Sequence, residues 1–185
     1  MTNPLITGVG ISDFGRFPHL TEEALAQAAI LSAVDDAGIA LRDVQAFYCG
    51  NAAGGHLPGQ RSLRELGIAG QPVFNIDNAC SSGATALHLA LQAMRAGAYD
   101  TVAVFGMDQL STLGGGTLPL NQNDWNNRRG MVMPALYAMR ARRYMQEYGV
   151  PAEALADVSV KNRRHGALNP SATFCKLVTR EEVLA

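Results

Sequence analysis

In the first 110 residues, short apolar runs alternate with stretches where apolar side chains recur every three or four positions. The run Leu5 to Ile11, carrying Ile6, Val9 and Ile11, predicts a buried strand. Asp13 to His19 reads as a loop punctuated by Gly15 and Pro18. Thr21 then stands as a helix N-cap, with Glu22 and Glu23 placing negative charge in the first turn. Ala24, Ala28, Leu31 and Val34 follow at helical spacing, and Gly38 supplies the stop. Val44 to Gly50 predicts a second strand, Asn51 to Gly59 a glycine-rich loop, and Gln60 to Leu66 a short helix. A third strand is expected at Pro72 to Asp77 and a fourth at Thr101 to Gly106. Between them Ser81 to Ala96 is apolar nearly all round, which predicts a helix buried on every side and ended by Gly97. The alternation predicts an α/β layered fold with a largely parallel sheet.

The pattern changes after Met107. Ser111 to Gly130 holds the run Gly114-Gly115-Gly116 and the polar stretch Asn121 to Asn127, with no sustained period. Helical spacing returns from Met131 to Tyr148, and Pro151 opens another helix that continues to about Arg164. His165 to Cys175 is irregular, Thr179 is placed to cap a last short helix, and no further strand or internal repeat is expected. The expected division is residues 1–110 as the layered body and residues 111–185 as a separate helical region.

Composition narrows the function classes. The chain has 185 residues, enough for a substantial core, and is 48% hydrophobic but only 17% charged. That is below the roughly 25% of average domains and suggests surface covered by another subunit. A net charge of −1 argues against a general nucleic-acid or anionic-membrane binder. Cys49, Cys80 and Cys175 form no disulfide framework, and no His/Cys cluster suggests a metal. No apolar run approaches the roughly 20 residues that span a bilayer, and no basic-then-apolar leader opens the chain. A reducing cytoplasm is the expected compartment.

Asn78-Ala79-Cys80-Ser81-Ser82-Gly83-Ala84 joins the third strand to the apolar helix. A thiol there faces a helix N-terminus, where free N–H groups and the dipole favour a thiolate. Ser81, Ser82 and Gly83 are small enough to admit a thioester, and the same N–H groups suit a developing oxyanion. Taken alone, the turn fits a nucleophile or an ordinary packed cysteine equally well. Cys49, inside a strand, and Cys175, in a late loop, read as structural.

The segment Asn78-Ala79-Cys80-Ser81-Ser82-Gly83 resembles the nucleophile motif of thiolases. Gly8 to Phe17, Asp43 to Gly50, Ala138 to Tyr148 and Val160 to Pro170 look like the sterol-carrier-protein/lipid-transfer branch of that superfamily. The resemblance implies a thiolase-like layered fold: an N-terminal βαβαβ half followed by part of an inserted helical loop domain. It implies Cys80 as the acyl-accepting nucleophile. It also implies that a histidine activating the nucleophile and a second acid/base group lie in a C-terminal half that these residues do not match. His19, His56, His88 and His165 do not sit in the family's histidine motifs. His88 is two helical turns beyond Cys80, about 12 Å along the axis, and reads as a core histidine.

Arg128, Arg129, Arg140, Arg142, Arg143, Lys161, Arg163 and Arg164 give residues 128–164 a charge of +5 against Glu147, Glu153 and Asp157. In the resembling proteins the insertion helps hold coenzyme A. This singles out Arg142, Arg143, Arg163 and Arg164 for its phosphates. A solvated helix face or a subunit contact is the alternative. Met131, Met133, Leu136 and Met139 read as core, with a flexible apolar wall for an acyl chain as their other reading, and Met133 is singled out for substrate binding. The expected activity is acyl transfer from acyl-CoA through an acyl-cysteine, with coenzyme A as part of the substrate and no covalent cofactor. It requires a complementary half or subunit in a homo- or hetero-oligomer. The alternatives are a thiolase-like lyase acting on CoA-linked steroid-type substrates and a non-catalytic acyl-CoA-binding subunit.

Overall fold

The computed structural model describes residues 3–114, 117, 121 and 123–185. Its organising element is β1 (Ala46–Gly50), in which all five residues are buried. A strand hidden on both faces needs helices above and below it, and the sequence supplies them. β1 pairs in parallel with β2 (Val73–Ile76), from Phe47 opposite Val73 to Gly50 opposite Ile76. On its other side it pairs in parallel with β3 (Val102–Gly106), from Ala46 opposite Val102 to Gly50 opposite Gly106. The strand order is β2-β1-β3.

The period-2 alternation of β1 divides its side chains between two apolar layers. Phe47 and Cys49 pack with Ala26 and Ile30 of α1 (Glu22–Asp36), Leu63 of α2 (Pro58–Arg64), and Val44, Phe105 and Met107. Ala46 and Tyr48 pack on the opposite face with Ala86 and Ala90 of α3 (Ser82–Arg95). The result is a helix–sheet–helix sandwich, as the alternation of elements predicts. α1 begins where expected, the Thr21 hydroxyl accepting from the Ala24 N–H.

Two expectations fail in this body. Leu5 to Ile11 forms no strand: Leu5, Ile6, Val9 and Ile11 are largely exposed. The segment instead lies along α1, with Gly8 and Gly10 seated on the helix backbone and the Val9 N–H donating to Asp36. An apolar run becomes a strand only when another strand offers it hydrogen bonds, and none does so among the described residues. Nor is α3 buried on every side. Ser82, Ala86 and Ala90, spaced four apart, face the sheet, while Leu87, His88 and Leu89 are exposed. His88 is therefore not a core histidine; its Nε2 is 2.9 Å from the Gln92 amide nitrogen.

The chain forms two compact units: residues up to Ser12 with Arg16–Thr112, and Asp13–Gly15 with Leu113–Ala185. The second contains α4 (Trp125–Arg128), α5 (Met133–Tyr148), α6 (Ala152–Gly166) and α7 (Arg180–Leu184). Thr179 caps α7 in a reciprocal box with Glu182, and Arg180 makes a two-pronged pair with Asp157 of α6. The core reading of the methionine cluster does not hold: α5 buries no residue, Met131, Met133 and Leu136 are half-buried, and Met139 is exposed. Among the described residues of its unit no strand lies beside this helix, so its apolar positions stay open. Gly115, Gly116 and Gln122 of the glycine and polar runs lie outside the described residues. Among the described residues no strand follows β3, and no helix is long and apolar enough to cross a membrane.

Burial has a titration consequence at Cys49, which is fully inaccessible. Burial first, then the negative charges of Asp108 and Glu22, pushes its thiol up to about 12. The native state therefore holds this proton more tightly than the unfolded chain, whose thiols ionise near 8.5. The stabilisation is fully present below that value and is lost as pH climbs toward about 12. Between pH 7.5 and 10.5 the chain should lose about 2.5 kcal/mol that a Cys49→Ala variant, destabilised at neutral pH, does not lose. Denaturant titrations of both proteins at the two pH values check this, and parallel losses would refute it.

Candidate functional site

All three strands are parallel, so Gly50, Ile76 and Gly106 end at the same edge of the sheet. The segments leaving that edge are 51–57 after β1, 77–81 after β2 and 107–112 after β3. In open parallel sheets such edges, where the strand order reverses direction, are where ligands bind. The order reverses here, because the chain goes from β1 to β2 on one side and returns past β1 to β3 on the other.

The segment after β2 carries Cys80. Asp77 accepts from the Ala79 N–H at 3.1 Å, and Ala79 is left-handed at φ 47°. That conformation costs a non-glycine residue on the order of 1 kcal/mol, so the surroundings must hold it. Cys80 follows within a 3-10 turn, Ala79–Ser81, that runs straight into α3. Its side chain belongs to an exposed residue, unlike that of Cys49. Gly83 faces open space, so the first turn of α3 leaves room beside the thiol.

The small residues also shape the turn. The Ser81 hydroxyl donates to the Asn78 carbonyl, and the Ser81 N–H donates to the same oxygen. The Ser82 hydroxyl accepts from the Asn78 N–H and donates to the Ala79 carbonyl, which also takes the Ser82 N–H. Asn78 donates from its side chain to the Thr85 hydroxyl, which in turn donates to the Ser81 carbonyl. Two of the N–H groups expected to face an oxyanion are thus engaged in closing the turn. Beneath it, a Cβ on Gly50 would stand 2.7 Å from the Gly83 nitrogen and the Ser82 carbonyl carbon. The turn that carries Cys80 rests directly on the end of β1, backbone against backbone.

The segment after β1 is tied down by charge. Asp108 accepts from the Ala52 N–H at 3.0 Å and the Ala53 N–H at 2.7 Å. Arg61 of α2 donates to the carboxylates of Glu22 and Glu23 and to the carbonyls of Gly54 and His56. Burial, followed by repulsion from Glu23, raises the Glu22 carboxyl despite Arg61, whereas the hydrogen bond from Arg61 holds Glu23 low. Neither Arg61 nor Asp108 stands out in the sequence, because their partners lie up to 39 and 56 positions away.

The structure brings Cys80, Ser81, Ser82 and Gly83 together in the first unit and places the other expected site residues in the second. Arg142 and Arg143 are exposed on α5, Arg143 pairing with Glu147 at 2.9 Å, and Met133 opens that helix. On α6, Arg164 is exposed and Arg163 stacks over Phe174 at 4.1 Å. Cys175 is exposed, its thiol donating to the Ala172 carbonyl. Among the described residues no group of three His, Cys, Asp or Glu side chains forms a metal cluster.

Residues 6–180 match the family described as thiolase, N-terminal domain. The chain belongs to the thiolase family. It is 39% identical over 183 residues to the benzoylsuccinyl-CoA thiolase subunit BbsB of Thauera aromatica, covering 97% of this chain and 47% of that protein. It is 32% identical over 192 residues to an acetyl-CoA acetyltransferase of Methanothermobacter thermautotrophicus, covering 100% of this chain and 50% of the other. Sterol carrier protein 2 of Gallus gallus is 29% identical over 199 residues, covering 97% of this chain and 36% of that protein. Among solved structures, an Ltp2-ChsH2(DUF35) aldolase superposes with a TM-score of 0.78 at 25% identity, over 96% of this chain and 47% of the aldolase chain. The chain thus spans about half the length of these thiolase relatives.

Proposed function

We propose that Cys80 accepts an acyl group from an acyl-CoA thioester, as the nucleophile of a thiolase-type acyl transfer. The observation that carries this is the placement of the thiol: exposed, on a held turn, at the head of α3 and at the reversal edge of a parallel sheet. The Cys80 sulfur attacks the thioester carbonyl, the carbon–sulfur bond to coenzyme A breaks, and the proton released by Cys80 passes to the departing thiolate. A complementary C-terminal half, in the same polypeptide or another subunit, supplies the histidine and second acid/base group that move protons. The half-length match to relatives supports that requirement. Arg142, Arg143, Arg163 and Arg164 meet the phosphates of coenzyme A, and Met133 lies along the acyl chain. Coenzyme A is substrate rather than resident cofactor, and the working form is an oligomer in the cytoplasm.

The likeness to an aldolase favours a second reading, carbon–carbon bond cleavage on a CoA-linked substrate. Retention of a nucleophilic cysteine favours acyl transfer over it. The deciding experiment incubates the chain with acetyl-CoA, with and without a thiolase C-terminal half, and maps acyl adducts by mass. One acetyl group on Cys80, absent from Cys80→Ser, is expected. Binding without an adduct would replace this reading with lyase chemistry or a non-catalytic acyl-CoA-binding role.

A further inference from the structure

We propose that Ser82 is a positioning residue that aims the Cys80 thiol, an inference resting on the nucleophile reading above. Its side chain spans the strained residue: the hydroxyl accepts from the Asn78 N–H at 2.8 Å on one side of Ala79 and donates to the Ala79 carbonyl at 2.7 Å on the other. Ser82 is 4% exposed, so both bonds are sheltered from competing water. The residue between them is left-handed without being glycine. Released from Ser82, Ala79 gains by relaxing toward negative φ, and the peptide leading into Cys80 turns with it. Cys80 is the next residue, so a rotation at Ala79 swings the thiol directly. The Ser81 hydroxyl also bonds the turn but reaches only the Asn78 carbonyl, on one side of the strained residue. The end of β1 is seated against the Ser82–Gly83 backbone of the same turn. One hydroxyl therefore couples the strained peptide to the direction of the thiol.

A small alkylating reagent reaches an exposed thiol from many directions, whereas acyl capture requires the sulfur to line up with a bound carbonyl. Misaim and loss of fold thus leave different signatures. The test compares wild type, Ser82→Ala, Ser82→Thr and Ala79→Gly/Ser82→Ala in the full chain, with the C-terminal half present wherever acyl capture requires it. Two rates are read: alkylation of Cys80 by iodoacetamide and acetyl transfer to Cys80 from acetyl-CoA. Ser82→Ala should slow acetyl transfer by about tenfold to a hundredfold, with KM for acetyl-CoA and the alkylation rate each changing by less than about threefold. Ser82→Thr should restore most of the rate by restoring the hydroxyl. The double variant should recover part of it, because glycine holds a positive φ without strain. Equal slowing of both rates would reduce Ser82 to a structural role, and an unchanged acetyl-transfer rate would remove it from the site. Where Ser82→Ala does not fold, the double variant decides: transfer no slower than wild type would overturn the proposal. Failure of the wild type to form any adduct would instead overturn the nucleophile reading.

Discussion

Gly50→Val is expected to destabilise the chain by about 2–3 kcal/mol and to slow acyl capture at Cys80 by about tenfold. The new Cβ would stand 2.7 Å from the Gly83 nitrogen and the Ser82 carbonyl carbon, 2.8 Å from the Gly83 Cα. Those are backbone atoms, which cannot rotate aside as a side-chain tip would, so α3 must lift from β1. Lifting it moves the turn that carries Cys80. The register partner Gly106 provides the control, since a Cβ there would meet only the Gly50 carbonyl oxygen at an ordinary 3.8 Å. Gly106→Ala should fall within about 1 kcal/mol of wild type. Denaturant midpoints and acetyl-CoA capture, measured on both variants, separate the effects. Equal behaviour of the two glycines would show that close backbone contact does not set the position of the turn.

Arg61→Ala should remove about 2 kcal/mol at pH 7.5, a figure reduced because the guanidinium retains some solvent. Its loss leaves Glu22 and Glu23 facing each other with no cation between them, and two loop carbonyls without their donor. Burial and Glu23 already raise the Glu22 carboxyl, and without Arg61 it rises further. A raised carboxyl binds its proton more tightly in the native state than in the unfolded chain. Its stabilising contribution is therefore full below the unfolded range near 4.3 and is lost as pH rises. The Arg61→Ala deficit should shrink between pH 7.5 and pH 5, while Arg61→Lys, which keeps charge without the fork, recovers at most about half. Urea titrations at both pH values check the sign; a deficit that grows toward pH 5 would contradict it.

What the sequence shows of this protein is mostly what is local. Thr21 and Thr179 cap their helices because a hydroxyl beside a helix start needs only its own neighbours. Cys80 was legible because a strand, a cysteine, small residues and an apolar helix sit in one contiguous stretch. The run Leu5 to Ile11 has strand-like apolarity, but pairing depends on a partner that local pattern does not reveal. The apolar circumference of α3 reports what the helix tolerates, not what covers it; its buried residues are only Ser82, Ala86 and Ala90, on the face toward the sheet. The left-handed Ala79 was hidden for a different reason. Nothing about alanine announces positive φ, and the groups that bond this peptide, Asp77 and the Ser82 hydroxyl, are ordinary polar residues in the sequence.

The central position of β1 also bears on how the chain comes off the ribosome. Phe47 finds its partner Val73 only after a further stretch of chain is made, and Ala46 waits for Val102, fifty-six positions later. The most deeply buried strand is thus synthesised first and sheltered last. Contacts this distant make folding slow, because loop-closure entropy is lost before any pairing compensates it. In the interval Phe47, Tyr48 and Cys49 form an unprotected segment with the composition of an aggregation nucleus. The lag between β1 and β3 leaves this stretch unpaired until the residues between them have been made.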